Sequence, residues 1–426
     1  RNTVFNGSTA LVKTGTANDQ CVGNNTFNGT TTLTNAGTGY FLFGNSTRDI
    51  FNGQLSLNCT NTGILYIAHN GTNTQFNEDI EVNSSGSGGI RIGGSTGTST
   101  LASGKYIRQG TGGLTLGTFL LARITFAGSE AQSLSASGSA VITLGPAAVM
   151  NGNLTVNSPG VVLSGITCMA NTEFTKTGSS NDQGAGNNVF NGPVIITNTG
   201  SGYITAANAT RDIFNATLKV VSAGSGSVYM SHCAASTQFN DHVTVASSVG
   251  AGGVRFGASG GSAAFAPGKE LLIDATGFNG GLLLLGGLGF SDVMNRSFVL
   301  GNSATLQFGS SSVFTGEVAA TAGGFLLSGS VFNRKLTLTK TGISNDYGNG
   351  NNTFHDSVIV TNNGSGFLLL ANATRDVFNS YCSFTTSGGL IYVAYRGTDN
   401  LFNGDVEVNS TGNGVRFSTS TGNSIL

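Results

Sequence analysis

Glu78, Asp79 and Glu81 form the densest group of carboxylates in the sequence. Carboxylates gathered from neighbouring segments are what polysaccharide cleavage needs, one as acid and another as base or nucleophile. The same stretch recurs twice along the chain, and there the group thins. The second copy retains only Asp241, with Thr244 in the place of Glu81, and the third has Asp405 and Glu407. Charge diluted in this way reads as solubilising, not as one active site. His69 and His232 occupy equivalent positions, but Tyr395 replaces them in the third copy, and His242 and His355 have no histidine counterparts. A metal or catalytic histidine needs convergent partners at fixed spacing, so these read as surface residues.

Asp19, Asp182 and Asp346 lie in Gly/Asn-rich loops whose oxygens could hold Ca²⁺. Their spacing fits neither an EF-hand nor the Gly-Gly-x-Gly-x-Asp repeat, and Asx-turns account for the same residues. Calcium is thus the one ligand weighed, and no cofactor is expected. The most regular charged feature is the pair Arg48–Asp49, repeated as Arg211–Asp212 and Arg375–Asp376. Either it is a ligand clamp, or it is a corner pair that caps local backbone and neutralises itself; the second reading is preferred. Cys21, Cys59, Cys168, Cys233 and Cys382 are odd in number and do not recur, which argues against a disulfide framework or a metal site. No Gly-x-Ser-x-Gly, Walker or nucleophile–base pattern is present, so no enzyme is expected. Sequons such as those at Asn28, Asn45 and Asn70 arise by chance in a chain this rich in Asn, Thr and Ser.

What positions these residues is a repeat. Gly numbers 66 of 426 residues, charged residues are 9%, and Trp is absent. Short apolar runs punctuated by Gly and Asn read as all-β, and the sparse charge and Pro argue against disorder. The net charge of −1 points to no nucleic-acid partner. The apolar run Leu282 to Leu285 is too short to cross a bilayer, so no membrane insertion is expected. The segment "TRDIFNG" at 47–53 returns as "TRDIFNA" at 210–216 and "TRDVFNS" at 374–380, displaced by 163 and then 164 residues.

A shorter period lies beneath the long one. One column runs Phe5, Phe27, Phe51, Phe76, Leu101, Phe126 and Met150, then Cys168, Phe190, Phe214, Phe239, Phe265, Phe290 and Phe314. It continues through Phe332, Phe354, Phe378, Phe402 and Leu426, in steps of 18 to 26 residues. Seven unequal short repeats make one long one, giving superunits 5–167, 168–331 and a partial 332–426 within one continuous solenoid over 1–426. A strand needs about five or six residues, so each short repeat holds about three strands. Stacking such units pairs every strand with its copies about 4.8 Å above and below. The expected fold is a parallel β-solenoid (β-helix). Coils of this length without a hexapeptide period predict a right-handed one.

The side chains fit that plan. The rings of Phe27, Phe51, Phe76, Phe190, Phe214, Phe239, Phe354, Phe378 and Phe402 are expected to stack in the core. Next to them, Asn28, Asn52, Asn77, Asn191, Asn215, Asn240, Asn379 and Asn403 are expected to form an amide ladder. The Gly that follows, as in "FNG", suits a corner with positive φ. In "ILYIA", "SVYMS" and "LIYVA", alternation turns Leu65/Ile67, Val228/Met230 and Ile391/Val393 inward and Tyr66, Tyr229 and Tyr392 outward. Arg91, Arg255 and Arg416 alternate outward in the same way from Ile90/Ile92, Val254/Phe256 and Val415/Phe417. These Tyr and Arg columns are the candidate surface contacts.

The "FNG…G-x-G-[aliphatic]…RD-[IV]-FN" texture resembles the repeat regions of giant bacterial cell-surface β-solenoid proteins. Those are adhesin or filament stalks of the kind common in Bacteroidota-like genomes and, more distantly, filamentous-haemagglutinin-type exoproteins. The resemblance implies secretion, surface display and a mechanical or adhesive role. The chain opens at Arg1, not at a Met, and shows no polar cap at either end. It is therefore expected to be a piece of a longer rod, rising about 34 Å per seven coils and about 86 Å in all. Its partners would be further coils of the same chain or head-to-tail copies, with surface glycans if it is an adhesin. An ice-binding face would need Thr ranks on every coil. Thr30, Thr32 and Thr34 are followed by Gln54, Ser56 and Asn58, then by Asp79, Glu81 and Asn83, which argues against it.

Overall fold

The structure is a computed structural model that describes residues 2–290 and 292–425. Leu426, expected to begin a coil, lies outside the described residues. All elements among the described residues are β-strands. The chain forms two compact units, Arg1–Ile204 and Thr205–Leu426, and each is a parallel β-solenoid.

In the first unit a coil reads Ile50–Phe51, Leu55–Cys59, Leu65–Ile67, and the next reads Thr74–Phe76, Ile80–Ser84, Ile90–Ile92. Three strands per coil leave three faces. On the first, Phe27 pairs with Phe51, Phe51 with Phe76, Phe76 with Leu101 and Leu101 with Phe126. On the second, Leu33, Leu57 and Val82 are in register, and on the third Ile67, Ile92 and Leu121. The second unit repeats the plan, with Phe314, Phe332, Phe354, Phe378 and Phe402 in register on its first face.

Alternation decides what is inside. Leu65 and Ile67 are buried while Tyr66 between them is half-exposed, and Ile391, Tyr392 and Val393 follow the same pattern. Because strand copies lie one hydrogen-bonding distance apart, the inward rings have no choice but to stack. Phe5, Phe27 and Phe51 are 4.8 and 4.9 Å apart and parallel to within 2°. Phe354, Phe378 and Phe402 repeat this at 4.7 Å.

Corners end the strands. Gly44, Ala68 and Gly93 take φ of 63°, 53° and 75° where the third face ends, and Ala371, Ala394 and Ser418 do so in the second unit. The "FNG" glycine is a correction to the sequence reading: Gly29 and Gly53 do not have positive φ. They are small because the corner lies against the preceding coil, where a Cβ on Gly53 would sit 2.5 Å from the carbonyl carbon of Gly29. Ala216 and Ser380 at the equivalent corner show that other coils make room for a Cβ. Positive φ belongs instead to "GNN". Gly23 has φ 107° and Asn24 φ 60°, and a Cβ on Gly23 would meet the Thr47 carbonyl oxygen at 2.1 Å. Extra residues are expelled as bulges: between Gln109, opposite Val82, and Leu114, opposite Ser84, the chain loops outward.

Candidate functional site

The Asp residues weighed as calcium ligands are occupied by lysines that the sequence reading missed. Lys176 and Lys340 are wholly buried at the end of the second-face strand. Lys340 Nζ lies 2.8 Å from Asp346 Oδ2 and donates to the carbonyls of Gly323 at 2.9 Å and Ser344 at 2.7 Å. Lys176 does the same with Asp182 at 3.2 Å and the carbonyls of Pro159 and Gly178. Each ammonium thus has its three protons directed at oxygens, as a buried cation requires. Asp182 and Asp346 also accept the backbone N–H of Val161 and Phe325, both at 2.9 Å. Burial pushes both carboxyls above the usual range, against the pull of the ammonium and the N–H. Lys13 and Asp19 make the same pair at 3.1 Å with Asp19 exposed.

Polar residues flank these lysines in the same column. Asn35 lies opposite Lys13, and Cys59 opposite Asn35; Asn362 lies opposite Lys340, and Thr386 opposite Asn362. The amide of Asn35 donates to Gly39 O and accepts from Gly37 N, and Asn362 does so with Gly366 and Gly364. These are the Asx-type turns expected nearby, placed on Asn instead of Asp.

The Arg–Asp pairs do not neutralise themselves, which corrects the expectation for that corner. Arg48, Arg211 and Arg375 are exposed, whereas Asp49, Asp212 and Asp376 are buried. The pair sits in the corner just before the strand Ile50–Phe51 (Ile213–Phe214 and Val377–Phe378 in the later copies), with the Arg in water and the Asp turned inside. The backbone-capping half of the reading holds. Asp376 Oδ1 accepts both the backbone N–H and the side-chain amide of Asn352, each at 2.9 Å, from the preceding coil. Asp49 does the same with Asn25. Oδ2 of Asp49 and of Asp376 is buried without a hydrogen-bond partner. Desolvation raises both carboxyls, Asp376 to about 7.

Glu78, Asp79 and Asp241 face outward and meet cations from the next coil, whereas Glu407 accepts from Tyr381 and Asn409. Glu78 pairs with Lys105 at 2.6 Å and Asp79 with Arg108 at 3.1 Å; Asp241 pairs with Lys269 at 2.8 Å. No group of three or more His, Cys, Asp or Glu that could hold a metal occurs among the described residues.

On the amide ladder, Asn52 donates to Asn28 at 2.8 Å, Asn77 to Asn52 at 2.7 Å, Asn240 to Asn215 at 2.7 Å and Asn403 to Asn379 at 2.9 Å. Asn191 reaches the Met169 sulfur instead, and Asn379 meets a ring nitrogen of His355. Phe27, Phe51, Phe76, Phe190, Phe214, Phe239, Phe354, Phe378 and Phe402 are all buried.

The outward Tyr and Arg residues meet one another. Arg91 lies over the Tyr66 ring at 5.5 Å, Arg255 over Tyr229 at 5.4 Å and Arg416 over Tyr392 at 5.7 Å, within cation–π range. The residue three positions after each Tyr packs edge-on against it: His69 at 4.7 Å, His232 at 4.8 Å and Tyr395 at 5.4 Å. Burial, with Arg91 beside it, holds the His69 imidazole below its usual range, and burial does so for His232. This cluster of ring, ring and guanidinium is an outward feature that all three superunits repeat. It offers flat apolar faces and fixed positive charge, and no acid–base pair. No family model, curated protein or solved structure matches the chain.

Proposed function

We propose that the chain is a structural segment of an extracellular, cell-surface β-solenoid filament. Its partners would be further coils of the same long chain or copies stacked head to tail. The observation that carries this reading is the pair of axial columns, the stacked Phe rings and the Asn ladder, which bind each coil to its neighbours and to nothing else. Corners are tied in the same way: Asn45 N–H donates to Cys21 O at 3.0 Å and Gly97 N–H to His69 O at 3.0 Å, both across coils. A protease needs a segment it can draw out, and segments hydrogen-bonded on both sides resist that. The most concentrated carboxylates are spent on ion pairs with neighbouring coils, which favours a scaffold over a hydrolase. The superunits differ in many residues, which favours one long chain over identical polymerised blocks. Negative-stain imaging of native cells, before and after surface proteolysis, tests the proposal. Straight, protease-resistant rods outside the cell are expected; the protein recovered as compact particles inside the cell would overturn it.

A further inference from the structure

The third superunit carries a surface cleft whose lining differs from the equivalent residues of its two sister copies. It measures about 270 Å³, near the lower limit for a small-ligand site, roughly 300 Å³. Four rings form its wall in an edge-to-face series. Tyr347 meets Phe367 at 5.1 Å, Phe367 meets Tyr392 at 5.5 Å, and Tyr392 meets Tyr395 at 5.4 Å. Asn372 and Arg396 supply the polar side.

Four of these residues depart from the repeat together, Phe367 among them where the sister copies have Tyr40 and Tyr203. Tyr347 stands where the sister copies have Gln20 and Gln183, Tyr395 where they have His69 and His232, and Arg396 where they have Asn70 and Cys233. In the first copy this place is closed by amides. Gln20 bonds the Tyr40 hydroxyl, Asn45 donates to Gln20 at 3.0 Å, and Asn70 donates to Asn45 at 3.0 Å. The coil therefore does not need an aromatic here, yet Tyr347 leaves 54% of its surface in water. Large rings held exposed around a concavity mark a binding surface.

The chemistry of the occupant follows from the lining. Arg396 lies over Tyr395 at 5.5 Å and Arg416 over Tyr392 at 5.7 Å, so positive charge is already in place and a cationic ligand is disfavoured. Among the described residues no carboxylate pairs with Arg396, which is exposed and free to take one from outside. What suits the site is a flat, C–H-rich ring to lie on tyrosine faces, hydroxyls for the Asn372 amide, and a carboxylate for Arg396. We infer that the cleft bounded by Tyr347, Phe367, Tyr392, Tyr395, Asn372 and Arg396 binds a uronic-acid unit of an acidic polysaccharide.

The inference does not depend on the filament reading, because either a fibre or a particle could carry the cleft. It is tested by titrating the whole chain with trigalacturonic acid and with cellotriose, followed by saturation-transfer NMR. Saturable binding of the triuronate is expected, with cellotriose weaker by about tenfold or more. Arg396→Asn should remove the preference for the acid, and Tyr347→Gln should weaken both sugars by about tenfold. Both variants install residues that the first copy already accommodates, so an unchanged melting temperature is the folding control. Absence of saturable triuronate binding, equal affinity for cellotriose, or undiminished binding by well-folded Tyr347→Gln would overturn the inference.

Discussion

Asp376 is the residue whose environment is most at odds with its chemistry. One oxygen caps the coil before it, the other is buried without a partner, and desolvation raises its carboxyl to about 7. Because the folded value lies above the ordinary carboxyl value of 3.8, the folded chain binds this proton more tightly than the unfolded one. The stability it contributes is fully present below about pH 4 and is lost as pH rises through about 7. Asp376→Asn keeps the acceptor and removes the ionisation. Its denaturation midpoint should vary less than that of the parent between those limits and exceed it above pH 7, as chemical unfolding across pH would reveal. Asp376→Ala should instead lose about 1–3 kcal/mol at acid pH, because the Asn352 N–H is left buried and unpaired, and that deficit should shrink as pH rises through about 7. The Lys340–Asp346 pair behaves differently, since each partner satisfies the other. Lys340→Met should cost about 3–5 kcal/mol by stranding the carboxylate, while Lys340→Met with Asp346→Leu should recover part of it. A double-mutant cycle in denaturant measures the coupling, and additive losses would show that the pair is not coupled.

At the scale of the element, one strand contributes a core position, a ladder position and a corner, and its copies multiply each. Phe378 stacks on Phe354 and on Phe402, both at 4.7 Å, so truncation removes contacts on two sides. Phe378→Ala should cost about 3–5 kcal/mol. Amide exchange should rise first in the coils of Phe354, Phe378 and Phe402, and exchange that rises uniformly along the chain would contradict a nearest-neighbour stack. The inward Phe and aliphatic positions were legible in the sequence because a strand alternates with period two, which "ILYIA" displays directly. The Asn ladder was legible because Asn follows the column residue at most corners, as in Phe27-Asn28, Phe51-Asn52 and Phe76-Asn77. Lys176 and Lys340 were not, since a lysine is ordinarily solvated and the oxygens it meets come from Pro159 and Gly323, contributed by the preceding coil. The Arg–Asp pair misled for the related reason that the Asp carboxylate is turned inward to cap Asn25 or Asn352 of the preceding coil, which its neighbour in sequence does not reveal. The Tyr347 cleft escaped notice because it is assembled from three coils, and only the departure from the sister copies marks it.

For the molecule as a whole, the repeat of seven coils sets both the regularity and the exceptions. Phe, Asn and the buried polar corner recur because each bonds to or stacks on the neighbouring coil. The residues at 347, 395 and 396 depart because the stack does not need them there. If the protein works as a filament, the same spacing that brings Phe rings within 4.7 Å must propagate along its axis. Cryo-electron microscopy of the native assembly measures that propagation directly. The account predicts filaments with an axial rise of about 4.8 Å per coil and a pseudo-repeat near 34 Å, with stacked aromatic density along the first face broken only where Leu, Met or Cys takes the Phe place. Monodisperse, compact particles lacking the 4.8 Å rise would contradict it.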